Sequence, residues 1–385
     1  MKFYKYTMET VLDSLIDYRG KTPHKSDSGI QTLSAKSVRN GYIDYSSCYY
    51  ISPEEYKKFM VRGIPHKGDV LMTTEAPLGV VARLDKENVA IAQRLLTLRG
   101  KPGIMDTGFL YYYLKSPIGQ AKLQARQTGT TVTGIKQSEF RKIEIEIPDY
   151  SIQKKITSVL EVIDEKIANN NHINKNLQVQ AYAIFSKAYD ASTDQRPFTS
   201  IIKILGGGTP KTGNSAYWNG PIPFFTPKDV GDPYAFLTEK CITESGLEHC
   251  NSHLYPVNTS FVTARGTVGK VSLAGIPMAM NQSCYALVSD VINPLMVYFY
   301  VLKAVTSLKH KASGAVFDAI VTRDFDTEII NVLSDSDNQH VLEVITPMMN
   351  AIHNNAMENI RLSALRDALL PRLVSGEIDV SDITL

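Results

Sequence analysis

The sequence predicts two globular modules of α/β or α+β class in tandem, separated by two long helices that form an antiparallel coiled coil, with an approximate two-fold relating the halves. Three observations predict this. The same layout occurs twice, offset by roughly 185 to 192 residues. Each copy mixes short apolar runs with a helical stretch, and each copy closes on a long segment of helical period.

The duplication is legible residue by residue. Ile30-Gln-Thr-Leu-Ser-Ala-Lys36-Ser-Val38 aligns with Ile222-Pro-Phe-Phe-Thr-Pro-Lys228-Asp-Val230, and Thr73-Thr-Glu-Ala-Pro-Leu-Gly79 with Thr263-Ala-Arg-Gly-Thr-Val-Gly269. Gln93 aligns with Gln282, and Tyr111-Tyr-Tyr with Tyr298-Phe-Tyr. Gly129, Ile135 and Phe140 align with Gly314, Ile320 and Phe325. Two similar modules suit a target that itself has two parts.

Along the chain, a first module is expected over residues 1–150. Val70-Leu-Met, Val80-Val-Ala, Ala90-Ile-Ala and Leu95-Leu-Thr-Leu98 read as short strands, and Gly108 to Lys122 as a helix. Ile143-Glu-Ile-Glu-Ile147 alternates strictly and reads as a half-buried strand. A helical spacer is expected over 151–190, where apolar or small residues recur at helical period from Ile152 to Ala188 without Gly or Pro. Such a helix, about 36 residues, would be roughly 54 Å long. Asn169-Asn-Asn171 interrupts its stripe, either as a polar seam that sets register or as a dock for partners.

The second module is expected over 191–335 and a second helical spacer over 336–385, with a stripe from Val341 to Leu369. Pro347 requires either a fresh helix capped by Thr346 or a bend. If the stripes pack antiparallel, each buries the other's apolar face and the modules are held apart at opposite ends. The alternative is that each helix packs on its own module.

Composition adds bounds rather than answers. Apolar residues make up 43% and charged residues 21%, ordinary for a folded chain, and the net charge of +2 neither implies nor excludes nucleic acid. No run of eighteen apolar residues or signal-like N-terminus is present, so a cytoplasmic protein is expected. Cys48, Cys241, Cys250 and Cys284 form no Cys-x-x-Cys pair and read as reduced and mostly buried thiols.

Gly207-Gly-Thr-Pro210, Tyr217-Trp-Asn-Gly-Pro-Ile-Pro-Phe-Phe225, Arg265-Gly-Thr-Val-Gly269, Asn281-Gln-Ser-Cys284 and Leu370-Pro-Arg-Leu-Val-Ser-Gly-Glu-Ile378, in that order, resemble type I restriction-modification specificity subunits. The likeness covers the whole chain and is closer in the second half. In the first, Arg19-Gly-Lys-Thr-Pro23 stands for the Gly-Gly-Thr-Pro element, no Tyr-Trp pair precedes Ile30, and Glu75 replaces the arginine at 265. The resemblance implies two target-recognition domains, each followed by a helical region, which bind bipartite double-stranded DNA with one half-site per domain. It implies two methyltransferase subunits, which modify adenine, and restriction/translocase subunits as partners. S-adenosylmethionine, ATP and Mg are expected on those partners, and no cofactor or metal on this chain. Half-sites one turn apart lie about 34 Å from each other, a distance a long helical spacer spans. Changing the arm length should then change the allowed spacer rather than the half-sites.

Candidate DNA contacts on loop-like segments are Lys36, Arg39, Arg94, Lys136, Lys228, Arg265, Lys270 and Arg323. The competing reading of each is a solvated surface charge. Gln93 and Gln282 read either as adenine readers or as buried amides satisfying backbone groups. Trp218 reads as core packing beside Tyr217, with stacking on a sugar or an extruded base as the alternative. Gly207, Gly208, Gly266 and Gly269 read as positive-φ turns first and as points of close approach to phosphate second.

Other chemistry fits poorly. Ala264 to Lys270 mimics a phosphate loop but lacks its first glycine and its Ser/Thr. Asp232-Pro-Tyr234 and Asn293-Pro-Leu lack the second proline of an adenine-methyltransferase signature, and His249 and His253 have helical metal-ligand spacing without a supporting cluster. The chain is therefore expected to be non-catalytic. A scaffold that binds the same partners without reading DNA remains an alternative, motivated by Glu75 and the missing Tyr-Trp pair.

Overall fold

The computed structural model describes residues 1–129, 133–311 and 319–383. The chain divides into two compact units, Met1–Lys166 with Leu362–Leu385, and Ile167–Arg361. Each unit thus contains one module and one end of each long helix.

In the first unit an antiparallel sheet runs in the order Leu12–Asp17, Leu95–Gly100, Val70–Thr73, Val81–Arg83. A second sheet places Ile30–Leu33 between Tyr49–Ile51, antiparallel, and Ala90–Ile91, parallel. Glu144–Pro148 pairs with the N-terminal strand Phe3–Thr7, turning Ile145 and Ile147 inward and Glu144 and Glu146 outward, as the alternation requires. The helix expected over 108–122 is two helices, Thr107–Lys115 and Pro117–Ala125. Ser116 ends one and caps the other, its Oγ accepting the Gly119 N–H at 3.1 Å, and Pro117 takes the first position, where its missing N–H costs nothing.

The second unit repeats this plan. Its antiparallel sheet runs Lys203–Gly206, Cys284–Val288, Ser260–Thr263, Val271–Ala274, and ends on Tyr234–Ala235, which is parallel to its neighbour. Trp218–Phe225 lies between Lys240–Ile242, antiparallel, and Ala279–Met280, parallel. Gln195–Pro197 pairs with Ile329–Asn331 as the N-terminal strand does in the other unit. The first unit carries the small hairpin of Val38–Arg39 and Tyr42–Ile43. Gly314, aligned with Gly129, lies outside the described residues.

The long helices are Tyr150–Ala191 and Asp335–Ser375, of 42 and 41 residues. The second runs unbroken through Pro347, so no fresh helix starts at Thr346. It stops at Gly376, whose φ of +80° suits a glycine and lets Ile378 N–H reach the Arg372 carbonyl at 3.1 Å. In the first unit Ile156 and Leu160 share one core with Phe109, Phe140, Leu370 and Leu373, and Asp164 accepts from Arg366 Nη1 and Tyr112 Oη, both at 2.8 Å.

In the second unit Phe185 packs on Phe299 and Tyr300 in a core shared with Val341, Ile345 and Met349. Each helix end therefore packs on a module and on the other helix together. Asn170, 1% exposed, donates to Glu358 Oε2 at 2.7 Å and to Asn359 Oδ1 at 2.9 Å, while Asn355 donates to Asn174 Oδ1 at 2.8 Å. Numbers rise on one helix as they fall on the other, so the pair is antiparallel. The 185-residue offset exchanges Asn170 with Asn355 and Asn174 with Asn359, so the seam itself is duplicated. Of the four cysteines only Cys284 is buried and the other three are partly exposed, which corrects the expectation of mostly buried thiols. No helix among the described residues is long and apolar enough to cross a membrane.

Candidate nucleic-acid interface

The site rests on a tight turn that both modules form with the same bonds. Thr73 N–H donates to the Val80 carbonyl (2.9 Å), its carbonyl accepts the Gly79 N–H (2.9 Å), and its Oγ1 accepts the Val80 N–H (3.0 Å). Thr263 makes the same three bonds with Lys270 and Gly269 at 3.0, 2.8 and 2.9 Å. Gly79 and Gly269 take φ of +83° and +69°, a region closed to most side chains. Behind each turn a second strand connection repeats. Thr74 N–H reaches the Arg94 carbonyl (3.0 Å) and Ala264 N–H that of Ser283 (2.8 Å). Glu75 then bridges Gly134, and Arg265 bridges Ala319. Residues 75 and 265 therefore start from equivalent backbone positions.

Loops from separate segments enclose an open pocket in each module. Arg265 and Gly266 of the turn line the second, whereas the first meets its turn only through Arg94, whose carbonyl accepts the Thr74 N–H. In the first module its volume is about 360 Å³, and Lys21, Thr22, Lys25, Lys36, Gln93 and Arg94 line it. In the second it is about 460 Å³, lined among others by Thr209, Trp218, Lys228, Lys240, Arg265 and Gln282. Both pockets carry lysine and arginine side chains, and the second also carries Glu239 and an apolar wall of Trp218, Phe224 and Pro227. Such a surface suits a polyanion with readable polar edges.

Lys36 and Lys228 stand in equivalent turns. Ser37 N–H closes the first on the Ser34 carbonyl (2.8 Å), and Asp229 closes the second by accepting the Thr226 N–H (2.8 Å). Both lysines are exposed; Lys228 pairs with Glu239 at 3.1 Å, whereas Lys36 has no ion pair among the described residues. Gln93 donates to Thr22 Oγ1 at 3.3 Å, and Thr209 donates to Gln282 Oε1. Each glutamine is tied to the Thr-Pro element at the pocket wall. Neither is a buried amide serving the backbone, which corrects that reading.

Four of the eight sequence candidates thus line the pockets: Lys36, Arg94, Lys228 and Arg265. The other four do not. Arg39 sits on the small hairpin and reaches Asp44 at 3.4 Å. Lys136 precedes the helix Gln137–Arg141, and Arg323 lies on Thr322–Asp326. Lys270 closes the turn next to Lys309, whose ammonium donates to the Gly269 carbonyl. Burial first, and then the charge of Lys270, hold Lys309 below the ordinary lysine range. Lys21, Lys25 and Lys240 were missed as candidates. The signal for the first two was their place around Thr22-Pro23, the counterpart of the Thr209-Pro210 element.

Two further readings need correction, and a third holds in part, since Trp218 packs on the core of Ile222, Phe224 and Ile242 although not beside Tyr217. Trp218 is half-buried at the rim of its pocket, edge-on to Phe224, with its indole N–H donating to the Lys211 carbonyl at 3.3 Å. Tyr217 instead stacks on His249. Gly266 and Gly269 have positive φ, but Gly207 and Gly208 do not; a Cβ on Gly207 would lie 2.0 Å from the Asn281 carbonyl oxygen, so close backbone approach is what excludes a side chain there. His249 follows the helix Glu244–Glu248 and His253 lies beyond it, so their spacing is not helical.

A family model for the type I restriction modification DNA specificity domain matches residues 13–179 and 194–362. The chain is 23% identical over 359 residues to the type I restriction enzyme MjaIX specificity subunit of Methanocaldococcus jannaschii, covering 86% of this chain and 82% of that protein. It is 21% identical over 412 residues to the HindI specificity subunit of Haemophilus influenzae, covering 81% and 87%. In fold it is similar to the crystal structure of a type I restriction-modification S subunit from M. genitalium, with a TM-score of 0.61 at 17% identity over 100% of this chain and 97% of that one.

Proposed function

This chain belongs to the type I restriction modification DNA specificity family, and from that membership we propose that it is the DNA-recognition subunit of a type I restriction-modification enzyme. Each module reads one half of a bipartite site on double-stranded DNA. Two methyltransferase subunits assemble with the chain to modify adenine, and restriction/translocase subunits join to cut unmodified DNA. S-adenosylmethionine, ATP and Mg belong to those partners, and the complex works in the cytoplasm. The chain itself supplies no catalytic group; its contribution is to place the partners on a chosen sequence.

The observation that carries this reading is the duplicated cationic pocket, lined at equivalent positions by Thr22 and Thr209, Lys36 and Lys228, and Gln93 and Gln282. Lysines around each pocket neutralise phosphates, which gives affinity without sequence preference, and the glutamine and arginine side chains have donors suited to base edges. The scaffold alternative drew on Glu75, and that motive weakens because Arg94 restores an arginine to the first pocket. Mapping methylated adenine across the genome, with and without this gene, tests the proposal. A two-part motif that disappears with the gene is expected. Unchanged methylation, or a single continuous motif, would overturn it.

A further inference from the structure

We propose that Arg94 reads a guanine in the half-site of the first module and that Glu75 is the positioning residue that aims it, an inference that rests on the DNA-recognition reading above. Glu75 occupies the loop position that Arg265 holds in the second module, and Arg94 the position of Ser283. The pocket arginine has changed loops, and a carboxylate has taken its former place.

Glu75 Oε1 and Arg94 Nε form an ion pair at 2.8 Å; the carboxylate side chain is 26% exposed and the guanidinium side chain 57%. Pairing with a partly shielded carboxylate restrains the guanidinium at its Nε edge. The two terminal amino groups have no partner among the described residues and are left as a pair of donors. Guanine presents two acceptors, O6 and N7, at matching separation on its major-groove edge. A fixed fork discriminates that edge; a swinging cation does not.

The backbone agrees with a dedicated role. Arg94 adopts φ of +72°, strained for a long side chain, and the residue in the equivalent position, Ser283, does not. Lys21, Lys25 and Lys36 on the same wall are available for phosphates, so the guanidinium is not needed there. Arg265 lies opposite in character: among the described residues it has no carboxylate or hydrogen-bond partner for its side chain. A mobile guanidinium of that kind suits a phosphate.

The test uses the complex of this chain with its methyltransferase subunits, and selects bound duplexes from a library randomised across both half-sites at fixed salt. Arg94→Lys keeps the charge and removes the fork. Its affinity for non-specific DNA and its salt dependence should hold, while preference for G·C at one position of the first half-site falls about 5- to 150-fold. Glu75→Gln keeps the shape and frees the guanidinium, and should relax the same position by a smaller factor. The second half-site should be untouched by both. Retention of every letter of the first half-site in both variants would overturn the proposal. So would an Arg94→Ser variant that weakens all sequences equally and lowers the salt slope by about one, the signature of a phosphate contact. A wild-type complex that selects no sequence would instead sink the DNA-recognition reading, before any variant is compared.

Discussion

The two pockets keep the same wall positions and fill them differently. In the second module the arginine comes from the turn, Arg265, and makes no ion pair among the described residues, although Glu239 lines the same pocket; in the first it comes from the neighbouring loop, Arg94, and is paired with Glu75. The Thr-Pro element shows the same divergence. Gly207 is required because the Asn281 backbone passes against it, whereas its counterpart Gly20 has φ of +78° and open space around it. Duplication has preserved hydrogen-bonded backbone geometry and the placement of charge, while the residues that satisfy them have changed. An alignment by letter marks Glu75 as a lost cation. The folded pocket has lost none.

That contrast can be broken most sharply at the glycines. Gly207→Ala drives a methyl into a carbonyl oxygen and should cost about 3 kcal/mol or more. Gly20→Ala meets only backbone strain and should cost about 1 to 2 kcal/mol. Urea unfolding read by the single tryptophan, Trp218, together with circular dichroism, orders the two; equal shifts would show that the equivalence extends to packing. The seam between the helices gives a smaller effect. Asn170 is fully enclosed with two side-chain partners and Asn355 is half-buried, so Asn170→Ala should destabilise by about 1–3 kcal/mol and Asn355→Ala by less. Thermal midpoints that fall equally for both would show that the duplicated positions share the load evenly.

The smallest effect separates the lysines. Lys36→Ala should weaken DNA binding uniformly across sequences and reduce the salt slope by about one. Lys228→Ala should do less, because Glu239 already partly neutralises that ammonium. Affinities measured over a range of salt in the assembled complex decide between them, and a larger loss for Lys228 would reverse the ranking.

Much of the fold was legible because it is written in local periods. The alternation of 143–147 became a strand, and the stripes from Ile152 and Val341 became two helices of similar length. The polar seam at Asn170 was visible as an interruption in one of those stripes. The site was only half legible. Lys36 and Lys228 could be found because they occupy matching places in duplicated turns. Trp218 packs on a core as expected, but its partner Phe224 could not be read from the neighbouring Tyr217, and Gly207 was misread because its constraint comes from the Asn281 backbone far along the chain.

The amino-acid order by itself determined that there are two modules, two long helices and paired cationic turns, since repeat offset and hydrophobic period are properties of neighbouring residues. Tertiary structure alone decided which cations meet. Arg94 reaches Glu75 only because strand register sets its loop beside the turn, and helical packing carried the chain through Pro347 where local preference argued for a break. Such contacts depend on how separate segments are brought together, and no window along the chain contains both partners' surroundings.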